Sequence, residues 1–256
     1  MPQTSIGAQM YTVREFAKTP ADIAKSLKKL KQIGYDAVQV SGTGPIEPAE
    51  LRKMLDGEGM ACAATHRGFD PMRDAPAQVL EEHQIIGCKH TAIGGLPQPY
   101  RKSAETYRQF AKEASAVARK LKDGGLTWSY HNHSFELERF GGGPAALEIL
   151  YGESDPQVFN GEIDTYWIVH GGGDPAAWIR RMKGRIPLVH FKDMAVHEGK
   201  PIMSPVGAGN LNWPEILKAC KEAGVEWYLV EQDTCLGDPF DALKESLDNL
   251  KSWGLK

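Results

Sequence analysis

Residues 123–133, DGGLTWSYHNH, and residues 222–233, EAGVEWYLVEQD, decide how this chain is read. Each leaves an amphipathic stretch through Gly and enters a short run of β-branched and aromatic residues. Each then ends in side chains that bind metals or carry protons. The same join recurs at residues 32–40, QIGYDAVQV, and 85–93, IIGCKHTAI. Working outward, strand-like runs fall at residues 5–11, 37–40, 61–66, 90–94, 127–133, 159–164, 187–193 and 227–233. Helical patterns lie between them. In residues 21–34, Ile23, Leu27, Leu30 and Ile33 recur at helical spacing before Gly34, and residues 212–224 open on Asn212 as an N-cap and close at Gly224. Eight βα units in 256 residues predict a single α/β domain over residues 1–256, a closed (β/α)8 TIM barrel. The rival, a doubly wound open sheet, calls for a glycine-rich phosphate loop after an early strand, and neither GxGxxG nor GxxxxGK[ST] occurs.

Composition agrees. The chain is 41% hydrophobic and 25% charged, enough for a large core and too apolar for disorder. Its formal net charge of -3 leaves no basic excess for a phosphate backbone, which argues against a nucleic-acid partner. No apolar run approaches the roughly 18–20 residues that span a bilayer, and the opening MPQTSIGAQMYTVRE lacks a signal layout, so a cytoplasmic protein with no membrane partner is expected. Cys62, Cys88, Cys220 and Cys235 are scattered without a CxxC, which suits reduced core thiols. Loop-rich segments at residues 94–103, 139–146 and 195–213 follow strands, on the side where a barrel builds its active face.

The late strands end in pairs: His131 and His133, Glu162 and Asp164, His190 and Lys192, Glu231 and Asp233. Members of a pair stand two apart and share a face, which must be the barrel interior because the other face packs on helices. Four consecutive strands thus aim imidazoles and carboxylates into one lumen. Buried carboxylates need balancing cations, and a divalent metal held by His nitrogen and carboxylate oxygen supplies one. A metal-free network of buried salt bridges, for instance Lys192 with Glu162 and Asp233, is the alternative. Spacing alone leaves both open.

The motifs GAQMYTVRE, YHNH, EIDTYW, VHFKD, and GAGNLNWPEIL followed by VEWYLVEQD resemble, in order and over nearly the whole chain, the sugar phosphate isomerase/epimerase family of the xylose isomerase-like TIM-barrel superfamily. The resemblance implies one divalent metal ion (Mn2+, Zn2+, Mg2+ or Fe2+) at the barrel mouth. Asp164, His190 and Glu231 match the family's ligand positions, and His131 stands where relatives carry Glu in LENH. It also implies proton abstraction beside a carbonyl, a metal-stabilised enediolate, and pairing of barrels as a homodimer, with Trp213 or Trp253 in the contact. With His131 in place of one of two opposed glutamates, Glu231 is the expected base and His131 or His133 the acid partner.

The remaining candidates follow from placement. His66 ends the third strand, where it can bond a sugar hydroxyl. Gln39, standing where relatives show Glu, suits hydroxyl recognition. Lys192 is placed to hold a substrate oxygen or developing negative charge, and the alternative for it is structural pairing. Glu136 is an outer partner or reserve ligand, Arg14 an anion contact or a surface ion pair, and Trp167 a substrate contact where relatives have His, which argues against the multi-metal arrangement of apurinic endonucleases. The expected function is a metal-dependent isomerase or epimerase of a sugar, keto-sugar or sugar phosphate. Two alternatives stand beside it: a carbon–oxygen lyase, either a keto-cyclitol dehydratase or a 3-keto-glycoside eliminase, and a non-catalytic sugar-binding barrel.

Overall fold

In the computed structural model, which describes residues 5–255, parallel strands close on themselves. They are β1 (Ser5–Gln9), β2 (Ala37–Val40), β3 (Ala61–His66), β4 (His90–Ile93), β5 (Thr127–His131), β6 (Asn160–Asp164) and β7 (Leu188–Phe191), then β8 (Asp193–His197) and β9 (Lys200–Ser204), and last β10 (Trp227–Val230). The barrel order is β1-β10-β7-β6-β5-β4-β3-β2, while β8 and β9 pair only with each other. The predicted TIM barrel is thus what the chain forms.

Helices α1 (Pro20–Ile33), α2 (Pro48–Glu58), α3 (Phe69–Asp74), α4 (Pro76–Ile86), α5 (Ala104–Asp123), α6 (Ala146–Glu153), α7 (Thr165–His170), α8 (Pro175–Arg181), α9 (Trp213–Ala223) and α10 (Pro239–Ser252) flank the barrel. Helix α1 shows how local sequence sets each unit. The Thr19 hydroxyl caps its N-terminus through Asp22 N–H, Pro20 opens the first turn, and Gly34 ends it at φ 113°. Its buried face, Ile23, Leu27 and Leu30, is the one the spacing predicted, and each such side chain contributes about 1.5–3 kcal/mol. In α9, Asn212 accepts from Glu215 N–H as expected of the N-cap.

The barrel interior is layered by the two-residue period of its strands. Ala37, Ala63, Ala64, Leu188 and Leu229 form a small buried apolar cluster of their own. Two residues beyond Ala37, Ala64, Leu188 and Leu229 stand Gln39, His66 and His190 on their strands and Glu231 just past the end of β10. An apolar plug therefore lies directly beneath a polar layer, and the outward residues Val38, Ile163, Val189, Tyr228 and Val230 join the main core under the helices.

Three expectations are corrected here. The first strand stops at Gln9 rather than continuing to residue 11, because its side chain accepts Tyr11 N–H and starts a 3-10 turn over Met10–Phe16. The loop expected over residues 195–213 begins with most of an antiparallel hairpin, turned by Glu198 and Gly199 at φ 49° and 73°. Trp213 is buried, with its indole N–H donating to Asp193, so it is not available to a dimer contact; Trp253 is 41% exposed. No helix among the described residues is long and apolar enough to cross a membrane.

Candidate metal centre and active site

Strands β5, β6 and β7 and the residue after β10 deliver His131, Asp164, His190 and Glu231 to one point. One ligand-type atom from each lies within 4.8 Å of all the others, and all four side chains are buried. Asp164 Oδ2 is 3.2 Å from His131 Nε2 and 3.7 Å from His190 Nδ1, which is 2.7 Å from Glu231 Oε2. Ligands on bonds of about 2.0–2.2 Å stand roughly 3.0–3.5 Å apart around a tetrahedral or octahedral ion. The set brackets that spacing.

Two further observations bear on the fit. His190 Nδ1 and Glu231 Oε2 are buried neighbours 2.7 Å apart, and Glu231 Oε2 also meets the Lys192 ammonium. On the other side of the ring, His190 Nε2 is 2.6 Å from Gln39 Oε1, which can only accept. Nε2 therefore carries a proton, and Nδ1 is the nitrogen turned toward the carboxylates, protonated toward Glu231 in the cationic ring and bare only when it serves as a ligand. Two histidines and two carboxylates, with Nδ1 so oriented, fit a divalent first-row ion.

Lys192 follows directly. Its Nζ lies 3.0 Å from Asp164 Oδ2, 2.8 Å from Glu231 Oε2 and 2.9 Å from Asp233 Oδ1. Thr165 Oγ1 accepts Lys192 N–H and donates to Lys192 O, fixing the backbone there. The salt-bridge alternative thus forms in part: Lys192 pairs with Asp233 as expected, but with Asp164 and Glu231 in place of Glu162. Glu162 instead accepts from Gln39 Nε2 at 2.7 Å and meets His66 Nε2 at 2.7 Å.

These contacts set the charge states. Burial alone would raise the Asp164 and Glu231 carboxyls, yet Lys192 and neighbouring histidines hold both below the usual range. Burial opposes the charge on Lys192 and His190 too, and the surrounding carboxylates outweigh it, so both are pushed up. Burial lowers His131, and it lowers His133 to about 3, so His133 is neutral at ordinary pH. Asp233 is raised to about 6 by burial and by Glu231.

Above the cluster opens a cavity of about 520 Å³, walled by His66, Phe69, Ile93 and His133 and floored by His131, Lys192, Glu231 and Asp233. Both members of the pairs His131/His133 and Glu231/Asp233 face it, as the two-residue period requires, although β5 and β10 end before the second members. Trp167, expected as a substrate contact, is not among the residues lining this cavity; its ring lies 5.4 Å from His133 and 5.6 Å from Lys192 Nζ. Gln39 lies below rather than on the wall: it is fully buried, and its amide is spent on Gln9, Glu162 and His190. Arg14 donates to the Asp233 carbonyl and so ties down the loop after β10. Glu136, read from the sequence as an outer partner, accepts from the Tyr130 hydroxyl and His133 N–H. Sequence reading missed Asn132, which accepts Asp164 N–H, and Asp193, whose carboxylate gathers N–H groups of Gly207, Gly209 and Leu211.

The fold and this mouth define a TIM barrel with a candidate metal centre at the C-terminal ends of its strands. The family model described as xylose isomerase-like TIM barrel matches residues 27–253, and the chain belongs to that family. The rhizopine catabolism protein MocC of Rhizobium meliloti is 24% identical over 89% of this chain and 80% of its own length. An inosose dehydratase of Lacticaseibacillus casei is 24% identical over 86% of each. Among solved structures, a sugar phosphate isomerase/epimerase from Parabacteroides distasonis superposes with a TM-score of 0.82 at 22% identity, covering 100% of this chain and 96% of that one.

Proposed function

We propose that this chain is a divalent-metal-dependent enzyme that moves the proton on the carbon beside a carbonyl in a carbohydrate, giving isomerisation or epimerisation. The observation that carries the reading is the convergence of His131, Asp164, His190 and Glu231 beneath an open cavity whose floor includes Glu231 and Lys192. A divalent ion held by those four side chains would polarise the substrate oxygens as a Lewis acid.

The chain's own residues divide the remaining work. Glu231, kept ionised, is the base that takes the proton. Lys192, kept cationic, faces negative charge developing on the substrate oxygen, and Asp233 holds its ammonium from the solvent side. His131 and His133, neutral at the wall, supply hydrogen bonds without adding charge. Trp167 packs against the His133 ring.

The lyase reading on the same first step has its own support. Only one glutamate, Glu231, is in the four-residue cluster, so the site lacks two opposed glutamates for a symmetric proton exchange. The similarity to inosose dehydratase extends over most of both chains. Deuterium uptake from D2O into free ketoses, ketose phosphates, keto-cyclitols and 3-keto glycosides tests both, with Mn2+ and again with chelator. Metal-dependent exchange, lost in Glu231→Gln, is expected, and the product chooses isomer, epimer or alkene. Wild-type protein that holds metal yet exchanges no proton in any of them refutes the reading.

A further inference from the structure

Cys62 is the second residue of β3 and Cys88 stands two before β4, so both lie at the N-terminal ends of their strands, at the opposite end of the barrel from the candidate metal centre. Strands β3 and β4 pair in parallel with Thr65 opposite Thr91 and His66 opposite Ala92. Carried back along both strands, that register sets Cys62 opposite Cys88. Each thiol leans along its own strand in the same way: Cys62 Sγ is 3.4 Å from Ala64 O, and Cys88 Sγ is 3.2 Å from His90 O. The two side chains therefore stand abreast, within hydrogen-bond reach of each other, and both are free thiols.

The backbone suits a bridge between them. Neighbouring strands run roughly 4.7–4.9 Å apart, and a disulfide joins Cα atoms about 4.4–6.8 Å apart, so the barrel need not rearrange. The sheet can also give at this point, because Cys88 precedes the first residue of β4 and the register between β2 and β3 shifts directly after Cys62. Access to the pair is unequal. Cys62 is partly exposed and lines a cavity of about 330 Å³ with Arg52, Met60 and Ile86 around it, whereas Cys88 is only 5% exposed. Cys220 is buried within α9 and Cys235 lies in the loop after β10, so neither stands beside Cys62.

We propose that Cys62 and Cys88 form a thiol–disulfide modification site, at which Cys62 exchanges with a low-molecular-weight disulfide such as oxidised glutathione and Cys88 then closes an intrachain bridge. The Cys62 thiolate attacks one sulfur of the reagent, its S–S bond breaks, and one thiol leaves. Cys88 next attacks the Cys62 sulfur of the mixed disulfide, and the second thiol leaves. The two cysteine protons end on those two thiols, so two protein thiols are oxidised and one reagent disulfide is reduced. The bridge closes residues 62–88 into a loop that holds α3 and α4.

The test incubates the native full chain with oxidised glutathione at pH 8, alkylates the remaining thiols and maps the tryptic peptides. The expected product joins peptide 54–67 to peptide 74–89 and is lost on adding dithiothreitol. Closing a loop of this length should raise Tm by roughly 6 °C over the reduced protein. Cys88→Ser should stop at the mixed disulfide on Cys62, and Cys62→Ser should take up no glutathione on Cys88. The wild-type map decides the question by itself if a variant fails to fold. Two free thiols at Cys62 and Cys88 after incubation overturn the proposal, as does a glutathione adduct that stays on wild-type Cys62 without closing. A bridge from Cys62 to Cys220 or Cys235, or one to Cys88 that forms only in urea, overturns it too.

Discussion

Replacing Lys192 by Met keeps an unbranched side chain, shorter by the Nζ atom, and removes the charge that three carboxylates share. In wild type the ammonium sits 3.0, 2.8 and 2.9 Å from Asp164, Glu231 and Asp233. At an effective dielectric near 20 each pair is worth roughly 5–6 kcal/mol of direct attraction, but the desolvation already spent on the ammonium offsets most of it. Breaking a buried pair by removing one partner costs about 3–5 kcal/mol in practice. For a chain of 256 residues, with an unfolding entropy of about 2.1 cal/mol/K per residue, that is a fall in Tm of roughly 6–9 °C. The melt is run at pH 7.5 in chelator and again in saturating Mn2+. Metal should recover most of the loss in the variant, because an ion among His131, Asp164, His190 and Glu231 supplies the missing positive charge, so the metal-induced rise in Tm should be larger in Lys192→Met than in wild type. A fall of under about 1 kcal/mol in chelator would show that the carboxylates are not charge-limited. An equal fall with and without metal would refute the shared-site argument.

Three other outcomes are expected. Asp164→Asn should lose bound metal by elemental analysis while remaining folded in chelator, since Asn retains the Oδ1 cap on Trp167 N–H at the start of α7. Glu136 is raised to about 7 from its ordinary 4.5, chiefly by burial. A raised acid contributes stability that is full below about pH 4.5 and lost as pH climbs through about 7, so urea melts at pH 5 and 8 should show wild type losing up to about 3 kcal/mol more than Glu136→Gln over that interval. Asp193→Asn turns a donor toward the N–H groups of Gly207, Gly209 and Leu211, and hydrogen exchange at those three amides should accelerate by at least tenfold while the amides of α5 stay protected.

The barrel was readable because parallel strands covered on both faces must be short and apolar, and because the helix–Gly–strand join is local chemistry. Gly34 and Gly224 take the left-handed backbone that ends α1 and α9, and nothing distant is needed to see it. The four clustered side chains were readable for a related reason: a two-residue period forces His131, Asp164, His190 and Glu231 to the inside. Their support was not readable. Gln9, Gln39 and Glu162 come from β1, β2 and β6, and only barrel closure brings the three strands around one point. Inside an apolar run, a glutamine suggests a ligand contact as readily as an interior bond. The hairpin of β8 and β9 had a signal in the Glu198–Gly199 turn, obscured by Pro201, which fits there because β9 pairs with β8 alone.

Charge accounting in the interior joins these observations. Glu162, Asp164, Glu231 and Asp233 are four carboxylates in one connected network, and the cations that face them are Lys192 and His190. A network built for stability alone would be expected to balance, since each uncompensated buried charge costs several kcal/mol. Here it falls short, and Asp233, the most exposed of the four, is raised to about 6 by burial and by Glu231. The atoms best spaced for a divalent ion are Asp164 Oδ2 and Glu231 Oε2, which Lys192 also engages, with His131 and His190 beside them. Glu162, by contrast, is satisfied by Gln39, His66 and His190 and makes no ion pair with Lys192. The barrel therefore keeps one carboxylate for holding imidazoles in place and gathers the other three around one lysine, with Asp233 the least compensated, an arrangement that fits the proposed metal-binding, proton-moving site.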